Sequence, residues 1–235
     1  NIDLSNSKFR DMLIVIDPGH GGKDPGALAF GLKEKNIVLK VGKRLAKYMQ
    51  DNLGIEAILT RDSDVFLSLE ERTAIANTND ADLFVSLHIN AHPSPSVKGF
   101  ETYYLNLSTN DEAMRVAARE NATSTHQMSD LQDILSDIMK NSKINESARL
   151  AQHVHTSIDS DMTTPPFRLK NMGVKQAPFY VLIGAEMPAI LIELAFISNP
   201  EDAQLLADDL FIDKMTTTIS NGIQQYVNMT TAQLQ

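Results

Sequence analysis

Two histidines and two glutamates stand where the chain could do chemistry. His20 lies in a loop crowded by Gly19, Gly21, Gly22 and Gly26, just after the apolar run Met12-Leu13-Ile14-Val15-Ile16. His88 closes a second run, Leu83-Phe84-Val85-Ser86-Leu87. A single histidine in a glycine-rich loop is weak evidence for a ligand. Two of them just past the C-terminal ends of strands are stronger, because open α/β sheets gather ligand sites at that edge. Two imidazoles and one carboxylate form a catalytic zinc set that leaves a fourth position for water. Glu34 is the best carboxylate for it, ending the loop begun by His20 and opening the next helix. An acid favoured only by the helix dipole would occupy the same place. Glu193 sits within Ala189-Ile190-Leu191-Ile192-Glu193-Leu194-Ala195-Phe196. An ionisable group in an apolar strand is costly unless paired or functional. It reads either as a salt-bridged structural acid or as a general base beside zinc-activated water.

The remaining candidates point to plainer roles. His153 and His155 are two apart on a helix, do not share a face, and read as surface residues. His92 and His126 fall in polar stretches. No Gly-x-Ser-x-Gly supports a serine triad. The first glycine-rich loop lacks the Gly-Lys-Ser/Thr of a phosphate loop. With no cysteine in the chain, a disulfide scaffold, a thiolate metal site and a cysteine nucleophile are all excluded.

Alternating strands and helices must position these residues. Met12–Ile16, Ile55–Thr60, Leu83–His88, Gly99–Leu105, Phe179–Ile183 and Ala189–Leu194 read as strands. Asn36–Met49, a segment capped by Ser68, a segment opened by Asn199-Pro200-Glu201, Ala148–Ile158 and Leu210–Val227 read as helices. This pattern predicts one α/β domain over residues 1–235, its sheet covered by helices on both faces. Between the fourth strand and the helix near Ala148, about 40 residues carry no strand signal. They read as a helical insertion at about residues 107–146, with one piece at Asp111–Asn121. A second piece presents the apolar stripe Leu131, Ile134, Leu135, Ile138 and Met139. The loop Asp161–Asn171 reads as irregular.

A formal net charge of −9 argues against nucleic acid, since phosphate contacts need clustered Lys and Arg. It leaves a neutral or zwitterionic glycan-peptide substrate open. No apolar run approaches the roughly 18 residues that span a membrane. The chain begins without an initiating Met or a charged-then-apolar leader, as a mature or trimmed fragment would.

The ordered motifs resemble one family. Ile14-Val15-Ile16-Asp17-Pro18-Gly19-His20-Gly21-Gly22-Lys23-Asp24-Pro25-Gly26-Ala27 is similar to the opening motif of the zinc-dependent N-acetylmuramoyl-L-alanine amidases of the cell-division type. Lys33-Glu34-Lys35-Asn36, Thr60-Arg61-Asp62, Leu69–Asn77 and Ser86-Leu87-His88-Ile89-Asn90-Ala91 resemble the motifs that follow. Gln176–Leu182 and Leu191–Asn199 resemble the last two, so the likeness runs in order from about residue 12 to 228. It implies a twisted, mainly six-stranded sheet flanked by helices. It also implies Zn2+ on His20, Glu34 and His88, with Glu193 as catalytic carboxylate. The implied reaction is hydrolysis of the amide between the lactyl group of N-acetylmuramic acid and L-alanine in peptidoglycan. A periplasmic or exported location and a role in cell separation or wall remodelling follow from the same likeness.

The insertion resembles the regulatory segment of Gram-negative members, in which a helix covers the zinc and supplies a glutamate. Arg119-Glu120-Asn121-Ala122 is similar to the motif carrying it, which makes Glu120 the candidate autoinhibitory contact; a solvated helix acid is the plainer reading. The stripe Leu131, Ile134, Leu135, Ile138 and Met139 either packs on the domain or docks a partner in helix-in-groove fashion. In the family that partner is an activator with an inactive endopeptidase-like domain. Three rivals remain: a non-catalytic wall-binding or scaffold relative, a zinc carboxypeptidase and a glycan deacetylase. The first is expected to have lost a ligand or Glu193, yet all four residues are present.

Overall fold

The computed structural model describes residues 12–122 and 143–233. His126 and the stripe from Leu131 to Met139 lie outside those residues. In chain order the strands are β1 (Leu13–Pro18), β2 (Leu28–Ala29), β3 (Leu32–Lys33), β4 (Glu56–Leu59), β5 (Leu83–Asn90), β6 (Phe100–Leu105), β7 (Asn171–Ala177) and β8 (Ala189–Phe196). The helices are α1 (Glu34–Tyr48), α2 (Leu69–Thr78), α3 (Asp111–Glu120), α4 (Ile144–Met162), α5 (Tyr180–Ile183), α6 (Pro200–Ala207) and α7 (Asp209–Gln233). Six strands form one mixed sheet in the order β4-β1-β5-β8-β6-β7, while β2 and β3 make a separate hairpin. β4, β1, β5 and β8 run parallel; β6 is antiparallel to β8 and parallel to β7.

Strand periodicity divides the apolar residues between two cores. Ile14, Ile16, Val85, Leu87, Ile190 and Ile192 face α1, α4 and α7. Val15, Phe84, Tyr103 and Leu191 face α2, α3 and α5. Both faces are covered, so β5 and β8 are buried along their whole length and are mainly apolar, broken by Ser86, His88 and Asn90 in one and Glu193 in the other. The helix starts follow local chemistry. Ser68 and Glu71 form a reciprocal capping box on α2. Asn199 caps α6, with Pro200 at its first position.

Six sheet strands are present as expected, but one differs in identity. Phe179–Ile183 is not a strand: Tyr180–Ile183 forms a single helical turn after Pro178, and the sixth strand is Asn171–Ala177. A five-residue apolar run fits a buried turn as well as a buried strand. The true strand is a half-buried edge element interrupted by Gly173, so its pattern is faint. His155 is also not a surface residue. It is buried beside Phe100, with Nδ1 3.0 Å from Thr102 Oγ1 and Nε2 2.8 Å from Asn171 Oδ1.

Candidate metal centre

The C-terminal edge of β1 and β5 brings the site together. His20 follows β1 in a left-handed conformation, φ 58°. Its Nδ1 lies 2.8 Å from Asp24 Oδ2, which orients the ring and leaves Nε2 aimed inward. Close packing here demands glycine at two positions. A Cβ on Gly19 would stand 2.5 Å from the His88 ring, and one on Gly26 would stand 2.6 Å from Glu34 Oε2. Glu34 opens α1 at the foot of the β2–β3 hairpin and is fully buried. Both of its oxygens accept backbone N–H groups, Oε2 from Ala27 at 2.7 Å and Oε1 from Ile89 at 2.8 Å. His88 lies within β5, register partner to Glu193 in β8.

Glu120, the last residue of α3, enters the same space from the opposite sheet face. His20 Nε2 is 3.1 Å from Glu34 Oε1 and 3.3 Å from Glu120 Oε2. His88 Nδ1 is 3.3 Å from Glu34 Oε1 and 2.9 Å from Glu120 Oε2. The four ligand atoms all lie within 4.8 Å of one another. Despite these short distances, His20 Nε2, His88 Nδ1 and Glu120 Oε2 are buried without an aligned hydrogen-bond partner. Tetrahedral ligands at zinc bond lengths sit about 3.3 Å apart. The spacing and the unaligned lone pairs therefore fit a single divalent cation better than a hydrogen-bonded cluster.

The electrostatics agree. Burial disfavours the charged form of His20, but the Glu34 charge and the Asp24 hydrogen bond outweigh it and raise the pKa to about 12. For His88, burial is likewise overridden, chiefly by the Glu120 charge, and the pKa rises to about 9. Burial would raise Glu34, yet His20 draws it down to about 2. Two carboxylates thus demand positive charge between them. A metal ion supplies it with the imidazoles neutral.

Glu193 behaves differently. Burial pushes its carboxyl well above the usual range; Arg119 opposes this and Glu120 reinforces it. Its Oε2 is buried without a hydrogen bond, and its Oε1 lies 3.5 Å from Arg119 Nη2. A buried carboxyl of raised pKa beside a polar cluster suits a role in proton transfer. The fold therefore brings His20, Glu34, His88 and Glu120 into one cluster, with Glu193 on the strand alongside.

Other residues at the site had no assigned role from sequence. Arg119 donates to Glu120 Oε1 from Nε and Nη2 at 2.8 and 2.7 Å. Its Nη1 donates to Asn90 Oδ1 and the Ala91 carbonyl. Asp17 is fully buried, accepting from Thr60, Arg72 and Ser86. The available signal is an acid at the end of an apolar run, weaker than the acid inside one that singles out Glu193.

Known proteins resemble this chain along most of its length. The family model described as N-acetylmuramoyl-L-alanine amidase matches residues 14–225. The chain is 34% identical over 224 residues to N-acetylmuramoyl-L-alanine amidase AmiA of Escherichia coli, covering 91% of this chain and 75% of that one. Among solved structures it resembles N-acetylmuramoyl-L-alanine amidase AmiC2 of Nostoc punctiforme, with a TM-score of 0.70, 34% identity, and 92% and 97% of the two chains covered. It also resembles the CwlD amidase of Clostridioides difficile, solved in complex with the GerS lipoprotein, with a TM-score of 0.73, 25% identity, and 93% and 100% covered.

Proposed function

This chain belongs to the N-acetylmuramoyl-L-alanine amidase family, and on that premise we propose a zinc-dependent, autoinhibited enzyme. In it His20, Glu34 and His88 hold the metal, Glu193 moves the proton and Glu120 closes the fourth position. The reaction is hydrolysis of the amide that joins the N-acetylmuramic acid lactyl group to L-alanine in peptidoglycan. The observation that carries the metal assignment is the convergence of four buried ligand atoms within 4.8 Å, three of them lacking hydrogen-bond partners.

When bound, zinc supplies Lewis acidity towards the amide carbonyl and lowers the pKa of a water towards about 7. Glu193 Oε2 takes the proton of the attacking water and delivers it to the departing alanine nitrogen. Asp24 holds the His20 ring with Nε2 inward, and the backbone N–H groups of Ala27 and Ile89 hold Glu34. Glu120 occupies the face on which water and amide must meet, so α3 has to withdraw before turnover. An activator would achieve this by binding the withdrawn state better than the closed one. The complex of the related CwlD amidase with a lipoprotein supports a protein partner. The family's cell-wall substrate supports an exported, wall-remodelling role, with residues 107–146 as the regulatory segment. Among the described residues no helix is long and apolar enough to cross a membrane.

Product analysis tests the reading. Chelator-treated Glu120→Ala protein should be inert on purified peptidoglycan. Added zinc should restore the release of intact stem peptides and leave free muramoyl ends. Release of acetate or D-alanine instead, or turnover indifferent to chelator, would overturn it.

A further inference from the structure

Behind His20 lies a second buried cluster, formed by Asp17, Arg61 and Arg72. Arg61 and Arg72 are each 2% exposed and Asp17 is fully buried. Arg72 Nη1 donates to Asp17 Oδ1 at 2.8 Å and to the Pro18 carbonyl at 2.9 Å, while Nη2 donates to the His20 carbonyl at 2.9 Å. Arg61 Nε donates to the Pro18 carbonyl at 2.8 Å, and its Nη2 to the Gly19 carbonyl at 2.7 Å. The same Nη2 reaches the Lys35 carbonyl at 2.9 Å, in the first turn of the helix that carries Glu34. Three consecutive carbonyls leading into and including His20 are thereby held by two guanidiniums.

We propose that Arg61 and Arg72 are positioning residues for the metal site, fixing the backbone of Pro18, Gly19 and His20 and tying it to the start of α1. The inference rests on the reading of His20 as a metal ligand. Two features favour positioning over bulk stability. All of Arg61's hydrogen bonds go to carbonyls, including Ser63 through Nη1, and it makes no ion pair among the described residues. A buried guanidinium hydrogen-bonded only to carbonyls is an expensive way to fill a core that apolar side chains would fill as well. The loop also holds a non-glycine residue, His20, at φ 58°, a conformation that persists only when its surroundings over-determine it. A rigid fork of N–H donors meets several carbonyls at fixed angles, whereas an ammonium does so poorly.

The test measures zinc affinity by chelator competition on the full chain, for wild type, Arg61→Lys, Arg72→Lys and His20→Ala, with thermal unfolding of each metal-free protein. Both lysine variants should fold and bind zinc roughly 10–100-fold more weakly, as lost support behind a ligand does. His20→Ala should lose binding. Folded lysine variants within about threefold of wild type, beside a His20→Ala protein that no longer binds, would overturn the clamp. A His20→Ala protein binding like wild type would instead sink the ligand reading beneath it. Should both lysine variants melt below the assay temperature, Asp17→Asn decides. It preserves the shape of the cluster while weakening Arg72's anchor, so zinc affinity unchanged within about threefold would count against positioning.

Discussion

Glu34 and Glu120 approach the same two imidazoles, but they are secured by different means. Glu34 stands on the sheet edge. Backbone N–H groups from two separate segments hold its oxygens, and its helix is tied to the His20 loop through Arg61. Glu120 hangs from the end of a ten-residue helix, α3. Arg119, its own neighbour, holds one oxygen, and the other has no hydrogen bond. The buried face of α3 consists largely of Ala113, Ala117 and Ala118, with Met114 and Val116. Alanine burial removes little apolar surface, at about 0.8 kcal/mol per methylene-sized group. The helix therefore docks weakly compared with α4, which buries Leu150, Val154, Ile158 and Met162, and α7, which buries Phe211, Ile212, Met215, Ile219 and Ile223. One carboxylate is held from several sides and the other by a single neighbour.

The largest effects should come from the fixed side. Glu34→Gln or His88→Ala should weaken zinc binding by at least about 10²-fold, since even supporting residues cost 10–100-fold. Chelator competition reads this directly, and binding near the wild-type level would remove either residue from the ligand set. Glu193→Gln sharpens the contrast between holding metal and doing chemistry. In a Glu120→Ala background it should leave zinc affinity intact and lower turnover by roughly 10²–10⁴-fold. Full turnover there would end its role as the proton carrier.

The departing side should respond in the opposite direction. Glu120→Ala should raise turnover of the otherwise wild-type protein, because it removes the carboxylate from the position that water needs. Arg119→Ala should do the same more weakly. It releases charge-assisted hydrogen bonds to Glu120 and Asn90 worth on the order of 1.5–3 kcal/mol each before compensation. Steady-state rates on peptidoglycan rank the two variants. A folded Glu120→Ala protein no faster than wild type would show that α3 does not close the site.

Part of this site is legible in the residue pattern alone. His20, Glu34 and His88 were legible because their loops flank apolar strands at a sheet edge, and Glu193 because a charge interrupts an apolar run. Asp17 obeys the same rule, yet it looked like the end of Ile14-Val15-Ile16. Its partners, Thr60, Arg72 and Ser86, lie 43 to 69 residues away. Arg61 and Arg72 were invisible as clamps because they grip backbone carbonyls, which carry no side-chain signature. β7 was missed because an edge strand with a glycine and two half-solvated faces has no clean alternation, while the compact run after Pro178 imitated a strand. His155 was misread because helix spacing alone says nothing of the sheet packed against it.

The smallest effect is a pH dependence that separates the two carboxylates. In metal-free protein, the His88 pKa is raised from 6.5 to about 9, with Glu120 the largest opposing influence to burial. His20 is raised to about 12, with Glu34 in that role. A raised histidine contributes stability that is complete below pH 6.5 and is lost as pH climbs through the folded value. His88 therefore loses its contribution between pH 6.5 and 9, while His20 loses a comparable amount over that interval and the rest up to about pH 12. Glu193, with its carboxyl held well above 4.5, adds a loss of the same sign, so Glu193→Gln belongs in both proteins compared. In that background the metal-free Tm should fall from pH 6.5 to 9, by roughly 2–4 °C per kcal/mol lost. Adding Glu120→Ala should flatten the fall in part, because the charge that chiefly sustains protonated His88 is gone while Glu34 and Asp24 still sustain protonated His20. Zinc should raise Tm more at pH 9 than at pH 6.5, since His88 is already partly deprotonated there and binding has less of its proton to displace. An unchanged slope in the Glu120→Ala protein would mean that Glu120 and His88 are not coupled in solution, leaving Glu34 as the one carboxylate that both imidazoles face.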